Sequence, residues 1–142
     1  MSYSDRMARA RDLMERSGID GMLLSVGADL PYLTGYEAMP LERLTMLVLP
    51  TGGDPVLLVP ELEAPRVAPQ GDLFEIQPWS ETDDPVALVA ARTPGWSRAL
   101  VGDQTWSTFV LGLQQRLPQL AFENASTVTS ELRMRKDTAE IA

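Results

Sequence analysis

The chain has 142 residues, of which 44% are hydrophobic and 23% are charged, a composition typical of a single soluble globular domain. Its formal net charge of −8 argues against a nucleic-acid partner, because proteins that bind phosphates present basic faces. The sequence has no cysteine, which excludes disulfides, and no apolar run approaches the ~20 residues of a membrane span. We therefore expect a cytoplasmic protein with neither a nucleic-acid nor a membrane partner.

The first predicted element is a helix near the amino terminus. Ser4 is its expected N-cap, and Gly18 is placed to end it in the left-handed conformation that glycine adopts easily. Apolar residues recur at helical spacing on one face, at Met7, Ala10, Leu13 and Met14. The arginines of this segment lie mostly off that face, and we interpret them as solvated.

A strand and a second, short helix are predicted next. Residues 22–24 are apolar without polar alternation, which is the pattern of a strand covered on both faces. Asp29 is the expected N-cap of the following helix, with Pro31 in its first turn and Gly35 at its end. The order predicts a helix–strand–helix unit of an α/β sheet.

Residues 44–49 and 56–59 are two apolar runs joined by a turn rich in glycine and proline. The connection is too short for the crossover that parallel strands require, so we expect the two strands to pair antiparallel. Thr45 is the only polar residue of the first run, which predicts a central position in the sheet.

The remaining segments alternate between strand and helix. Strands are expected at residues 73–77, 98–102 and 120–123. A short helix is expected at residues 61–68, and a second helix is expected to begin at Pro85 after a cap at Thr82 or Asp83. Two further helices are expected to begin at Ser107 and at Ser126 or Thr127. Because residues 73–77 alternate between apolar and polar, that strand is expected nearer an edge. The whole pattern predicts a mixed sheet with helices on both faces.

The residue inventory excludes several kinds of catalytic site. With no histidine and no cysteine, the chain cannot form a Ser-His-Asp or Cys-His nucleophile system or a structural zinc site. Two neighbouring pairs of acids, Glu61 with Glu63 and Asp83 with Asp84, are candidate acid/base dyads, but adjacent carboxylates are expected among 20 acidic residues. We assign no catalytic and no metal-binding residue in this chain.

Two stretches of the sequence resemble one protein family. An arginine-rich first helix is followed by GIDGMLL and, after a polar turn, by PYLTGY, and residues 130–141 read SELRMRKDTAEI. The first stretch resembles the opening of the creatinase/prolidase amino-terminal domain, and the second resembles the segment that joins that domain to a catalytic domain. The resemblance implies the non-catalytic amino-terminal domain of an Xaa-Pro dipeptidase or aminopeptidase.

The resemblance also implies a fold and an assembly. The domain is expected to be a ribonuclease-H-like, three-layer α/β/α sandwich with a mixed sheet of about six strands, which helps to build dimers and covers the active site in several members of the family. The family's catalytic domain, a pita-bread fold, holds two divalent metals (Mn, Co or Zn) through carboxylates and a histidine and cleaves the bond before proline. None of those ligands can be placed on this sequence.

The domain organisation follows from the same resemblance. Residues 1–135 are expected to form the amino-terminal domain, and residues 136–142 to begin the linker or first helix of a catalytic domain. Thr138 and Glu140 look like the cap and the acidic first turn of a helix that stops within a turn, so we expect a fragment of a longer peptidase. Its expected partners are its own catalytic domain, a second copy in a homodimer and a proline-containing peptide substrate.

The loop at residues 36–43 is the candidate for substrate contact in the full-length protein. Tyr36 is able to stack on a proline ring, and Arg43 is able to bind a carboxylate through two hydrogen bonds. The competing interpretation is an ordinary surface loop, with Tyr36 packed beneath it and Arg43 paired with Glu37 or Glu42.

Two other classes of function stay open. The domain can belong to a catalytically dead relative in which the same sandwich binds peptides or proteins, as in the large subunit of a histone chaperone. It can also be a free-standing binder of a small ligand in a crevice of the sheet. The residues that follow Ala142 in the parent gene distinguish the three classes, because they show metal ligands, the loss of those ligands, or a stop codon.

Overall fold

The structure is a computed structural model that describes residues 1–39, 42–68 and 70–134. It contains six strands and five α-helices in these ranges, with one short 3-10 turn at Ala64–Arg66. The strands are β1 (Gly21–Leu24), β2 (Met46–Pro50), β3 (Val56–Pro60), β4 (Glu75–Trp79), β5 (Arg98–Val101) and β6 (Ala121–Asn124). The helices are α1 (Tyr3–Arg16), α2 (Asp29–Thr34), α3 (Pro85–Ala91), α4 (Ser107–Arg116) and α5 (Ser126–Met134).

The six strands form one mixed sheet in the order β4-β3-β2-β1-β5-β6. The β2 strand is antiparallel to both of its neighbours, β1 and β3, and the other three pairings are parallel. The predicted antiparallel pairing of β2 with β3 is confirmed, and β2 is an inner strand as expected. The alternating segment forms β4, which lies at an edge, also as expected.

Helices cover both faces of the sheet and give three layers. Because successive strand residues point to opposite faces, Leu23 packs on one side of the sheet while Met22 and Leu24 pack on the other. One core includes buried side chains of α1, α2 and α5, and the other includes buried side chains of α3 and α4. The predicted α/β/α sandwich is confirmed. No helix in the described parts of the chain is long and apolar enough to cross a membrane.

The cap of α1 is Ser2 and not Ser4, so the sequence-based prediction is wrong by two residues. The Ser2 hydroxyl accepts a hydrogen bond of 3.1 Å from the Asp5 backbone N–H, and the Asp5 carboxylate accepts one of 3.2 Å from the Ser2 backbone N–H. This reciprocal capping box satisfies two backbone donors at once, which Ser4 cannot do inside the first turn. Gly18 adopts the predicted left-handed conformation, with φ of 70°.

Two further caps differ from the predictions by one residue or more. Ala28 is the residue before α2, and Asp29 lies in the first turn of that helix, where it pairs with Arg133 of α5. Asp84 caps α3, because its carboxylate accepts a hydrogen bond of 3.2 Å from the Ala87 backbone N–H. Asp83 instead closes the preceding turn, where it accepts a hydrogen bond from Ser80.

The helix predicted over residues 61–68 is reduced to the single 3-10 turn Ala64–Arg66. Pro65 lies within it, and its ring has no N–H to donate and would clash with the preceding turn of a longer α-helix. The predicted segment at residues 136–142, which belongs to the proposed linker, lies outside the described residues.

The direction of the strands brings several loops to one edge of the sheet. All strands except β2 point the same way, so the carboxyl ends of β3 and β4 meet at this edge beside the residues that lead into β2. The backbone N–H of Glu61, just past β3, donates a hydrogen bond of 2.9 Å to the carbonyl of Trp79 at the end of β4. Glu42 and Arg43, at the end of the candidate loop, lie at this carboxyl edge.

Candidate functional site

Tyr36 lies beneath the candidate loop and not on its surface. Its side chain belongs to the core that α1, α2 and α5 form, and the residue is only 9% exposed. The Gly35 backbone turns left-handed, with φ of 78°, and the Tyr36 N–H then donates a hydrogen bond of 3.1 Å to the Thr34 hydroxyl. Burial raises the pKa of the Tyr36 phenol above its ordinary value, and the nearby Glu63 carboxylate adds to that rise.

Arg43 lies at the surface of the carboxyl edge, and its partner comes from a distant part of the sequence. Its guanidinium forms an ion pair with the carboxylate of Glu81, in the turn after β4, and 41% of its side chain remains exposed. Within the described residues this pair takes the place of the pairing with Glu37 or Glu42 that the competing interpretation named. Tyr36 and Arg43 therefore stay predicted substrate contacts, of which Arg43 is partly exposed and Tyr36 is buried.

Two adjoining cavities open beside Arg43. One has a volume of about 320 Å³ and is lined by residues that include Glu61, Trp79 and Glu81. The other has a volume of about 420 Å³ and is lined in part by Glu42 and Glu63. Both are also lined by Arg43, Pro60 and Leu62, and we call the combined depression the Arg43 groove.

Trp79 forms a fixed wall of the Arg43 groove. The residue is 7% exposed, and its indole N–H donates a hydrogen bond of 2.9 Å to the carbonyl of Leu44 at the entrance to β2. Pro60 is also buried, at the end of β3, whereas Leu62 is 70% exposed on the rim. The groove thus has a rigid base and an apolar rim.

Each of the two candidate acid dyads contains a residue that already has a structural partner. Glu63 pairs with Arg66 at 3.4 Å, and Asp84 is both the cap of α3 and the ion-pair partner of Arg116. Within residues 1–39, 42–68 and 70–134, no three acidic side chains lie close enough together to hold a metal ion. The described residues therefore do not fit the two-metal centre that the family resemblance implies for a catalytic domain.

A second, smaller crevice opens between the carboxyl ends of β1 and β5. The connection after β1 runs over one face of the sheet and the connection after β5 runs over the other. Open α/β sheets commonly bind ligands in the crevice between two such strand ends. Here the crevice measures only about 90 Å³, and an ion pair of 2.8 Å between Asp29 and Arg133 lies along its wall. That pair joins the two helices α2 and α5.

Sequence reasoning missed the part of the Arg43 groove that follows β3 and β4. Glu61 and Leu62 come directly after β3, and Ser80 and Glu81 come directly after β4. Parallel strands end at the same edge of a sheet, so parallel pairing of the predicted strands 56–59 and 73–77 would place the residues that follow them together. Neither segment alone shows that the two strands pair with each other.

The chain matches a known family over most of its length. The sequence model of the Creatinase/Prolidase N-terminal domain family matches residues 6–135. A curated relative from Mycobacterium tuberculosis, named "Probable dipeptidase PepE", is 36% identical over 143 aligned residues. That alignment covers 98% of this chain and 38% of the relative, so the chain spans well under half the length of this protein.

Solved structures give the same result. The crystal structure of dipeptidase PepE from Mycobacterium ulcerans has a TM-score of 0.87 and 35% identity, and the match covers 98% of this chain and 38% of that one. Prolidase from Thermococcus sibiricus has a TM-score of 0.88 and 26% identity, over 99% of this chain and 39% of that one.

A third structure is itself only an amino-terminal domain. The creatinase/prolidase N-terminal domain of an Xaa-Pro dipeptidase from Streptococcus pyogenes has a TM-score of 0.77, with 90% of this chain and 98% of that chain covered. At 22% identity this likeness concerns the fold alone. The family match and the two longer relatives decide the assignment, and this chain belongs to the creatinase/prolidase N-terminal domain family.

Proposed function

We propose that this domain is the non-catalytic amino-terminal part of a metal-dependent Xaa-Pro dipeptidase or aminopeptidase, in which it contributes to dimerisation and covers the active site. The observation that carries the proposal is the match to the M. tuberculosis relative, which includes 98% of this chain but only 38% of a protein named as a dipeptidase. The remaining length of such a relative is sufficient for a catalytic domain.

The proposed reaction needs metal ligands that the described residues do not provide. The two divalent ions, Mn, Co or Zn, would supply the activated water and polarise the scissile carbonyl from the catalytic domain. No metal-dependent step is assigned to residues of this chain, because the sequence has no histidine and no three described acidic residues lie close enough together to hold a metal ion. The role proposed for this domain is therefore to enclose and to contact the substrate.

Arg43 is the proposed substrate contact of the carboxyl edge. Its guanidinium has five donors, and a bidentate contact with a peptide carboxylate would require it to release or share Glu81. Because the Arg43–Glu81 pair is partly exposed, its contribution is at most about 1 kcal/mol, and exchange is energetically accessible. Tyr36 would act from below by fixing the base of the loop, since its ring is buried.

The proposal is tested with the full-length protein encoded by the parent gene. Hydrolysis of an Xaa-Pro dipeptide should depend on Mn²⁺, Co²⁺ or Zn²⁺, should stop with a chelator, and should exceed that of the matching Xaa-Ala dipeptide. Metal-independent hydrolysis, or no hydrolysis of any dipeptide, would contradict it.

The absence of cysteine supports a cytoplasmic location, which cell fractionation tests.

The second candidate function is a peptide- or protein-binding module of a catalytically dead relative. The Arg43 groove favours this second function, because its lining offers apolar and charged side chains but no catalytic group. Full-length protein that binds peptides in the presence of metal but hydrolyses none of them would support this candidate.

A further inference from the structure

The Arg43 groove carries more negative than positive charge. Among the described residues, the groove is lined by one arginine, Arg43, and by the glutamates Glu42, Glu61, Glu63 and Glu81. Arg43 is paired with Glu81, and Glu63 is paired at 3.4 Å with Arg66 beside the groove. Among the described residues neither Glu42 nor Glu61 has an ion-pair partner. Their two carboxylates are therefore available to pair with a cationic group of a bound ligand.

Apolar side chains lie next to these carboxylates. Leu62 directly follows Glu61 in the sequence and is 70% exposed. Met39 is 50% exposed, and its sulfur lies 3.4 Å from a guanidinium nitrogen of Arg66, which places it near the same rim. Exposed large apolar residues grouped beside a cavity indicate a contact surface more often than scattered ones do.

We propose that the Arg43 groove binds a peptide segment that carries an arginine or lysine side chain next to an apolar side chain. The cationic group would lie beside Glu61 in one of the two adjoining cavities or beside Glu42 in the other, and the apolar neighbour would contact Leu62 and Pro60, which line both. The alkyl stem of a long basic side chain covers apolar surface while its charged end reaches the carboxylates. Arginine is favoured over lysine, because its planar group can bind a carboxylate through two hydrogen bonds.

An acidic side chain is disfavoured beside Glu42 and Glu61, because both carboxylates would repel it. A substrate carboxylate could bind only at Arg43, where it would have to displace or share Glu81. This inference concerns recognition of a basic side chain and does not depend on peptidase activity. Its test therefore needs no catalytic domain and fails independently of the proposed function.

The three tryptophans offer a direct readout for the 142-residue chain. Trp79 lines the Arg43 groove, whereas Trp96 packs against Gly21 and Trp106 lies at the start of α4. We would titrate ¹⁵N-labelled protein with acetylated, amidated Leu-Arg-Leu and follow the three indole N–H signals by NMR. The Trp79 signal should shift in a saturable way, and the other two should not. The matched peptides Leu-Gln-Leu and Leu-Glu-Leu should shift it less or not at all.

Two variants with the same change in net charge complete the test. Glu61→Gln should weaken binding of the Leu-Arg-Leu peptide about twofold to fivefold, as expected for one partly exposed charge contact. Glu131→Gln removes a carboxylate from the exposed side of α5, away from the groove, and should leave the affinity unchanged. Equal weakening in both variants, an equal response to the Leu-Glu-Leu peptide, or no Trp79 shift at millimolar peptide would overturn the proposal.

Discussion

The carboxylate of Asp20 accepts a hydrogen bond of 3.0 Å from the backbone N–H of Arg98, 78 positions further along the chain. The same oxygen accepts bonds from the backbone N–H and the hydroxyl of Ser97, at 2.6 and 3.2 Å. Arg98 in turn pairs with Glu123 of the edge strand β6 at 2.7 Å. The turn before β1 is thereby attached to β5 and, through Arg98, to β6.

The Asp20 contacts predict a pH-dependent stability. The backbone donors of Arg98 and Ser97 lower the pKa of Asp20. The ionised carboxylate therefore stabilises the fold above the unfolded-state pKa of about 3.9. This stabilisation is lost as the pH falls through the lower pKa of the folded state. Asp20→Asn should reduce the free energy of unfolding by about 1 kcal/mol at pH 7. The difference should narrow below about pH 4.

Urea unfolding at pH 7 and pH 3 measures this difference. Asp72→Asn is the control, because Asp72 is exposed and has no hydrogen bond among the described residues. A difference between wild type and Asp20→Asn that stays constant from pH 7 to pH 3 would show that the charge of Asp20 does not contribute.

Gly21 is predicted to tolerate no side chain. A Cβ added at Gly21 would lie 2.1 Å from the Trp96 ring, so Gly21→Ala forces the indole or the strand to move. Such overpacking destabilises by about 1 to 3 kcal/mol, and thermal melting should show a lower Tm. Gly52→Ala is the matched control, since nothing lies within 4 Å of the added carbon. Trp96→Leu combined with Gly21→Ala should recover part of the loss, and an unchanged Tm in Gly21→Ala alone would refute the contact.

The indole N–H of Trp79 is predicted to hold the wall of the groove in place. Trp79→Phe keeps an aromatic ring but leaves the buried Leu44 carbonyl without its 2.9 Å donor, which should destabilise the chain by about 1 to 3 kcal/mol. Trp106→Phe, at a residue 37% exposed, should change the free energy of unfolding by no more than about 0.5 kcal/mol. Equal effects of the two substitutions in urea unfolding would argue against the hydrogen bond.

Arg43→Ala separates a substrate contact from a surface ion pair. In the isolated chain the loss of the Arg43–Glu81 pair should reduce stability by less than about 1 kcal/mol. In the full-length protein the proposed charge-assisted substrate contact would contribute about 1.5 to 3 kcal/mol, so kcat/KM should fall roughly tenfold to a hundredfold. Glu81→Gln, which frees Arg43, should not reduce kcat/KM. Unchanged kinetics in Arg43→Ala would leave only the surface ion pair.

The sheet was predictable from the sequence because its signals are local. The run at residues 44–49, apolar except for Thr45, indicated burial on both faces, and the short turn at residues 50–55 left antiparallel pairing with residues 56–59 as the only option. The cap of α1 was harder, because Ser2 and Ser4 are both serines near the helix start and only the reciprocal bonds with Asp5 decide between them.

The candidate site was less predictable because its contacts join distant residues. Glu81 lies 38 positions after Arg43, and nothing in either segment indicates that the two side chains meet. Tyr36 follows a glycine at the end of a helix, a position as compatible with an exposed ring as with the buried one observed. The Arg43–Glu81 contact depends on how β3 and β4 align at the carboxyl edge, and the burial of Tyr36 depends on the packing of the helical core, so both are properties of the assembled domain.

We expect this domain to fold by itself and to leave catalysis to the rest of the proposed peptidase. The most direct test of this expectation is hydrolysis by the purified 142-residue chain, supplied with Mn²⁺, Co²⁺ or Zn²⁺ and an Xaa-Pro dipeptide, beside the full-length protein under the same conditions. We expect cooperative melting of the chain, hydrolysis no faster than in buffer, and metal-dependent turnover by the full-length protein alone. Turnover that stays with the 142-residue chain through repurification would contradict the account.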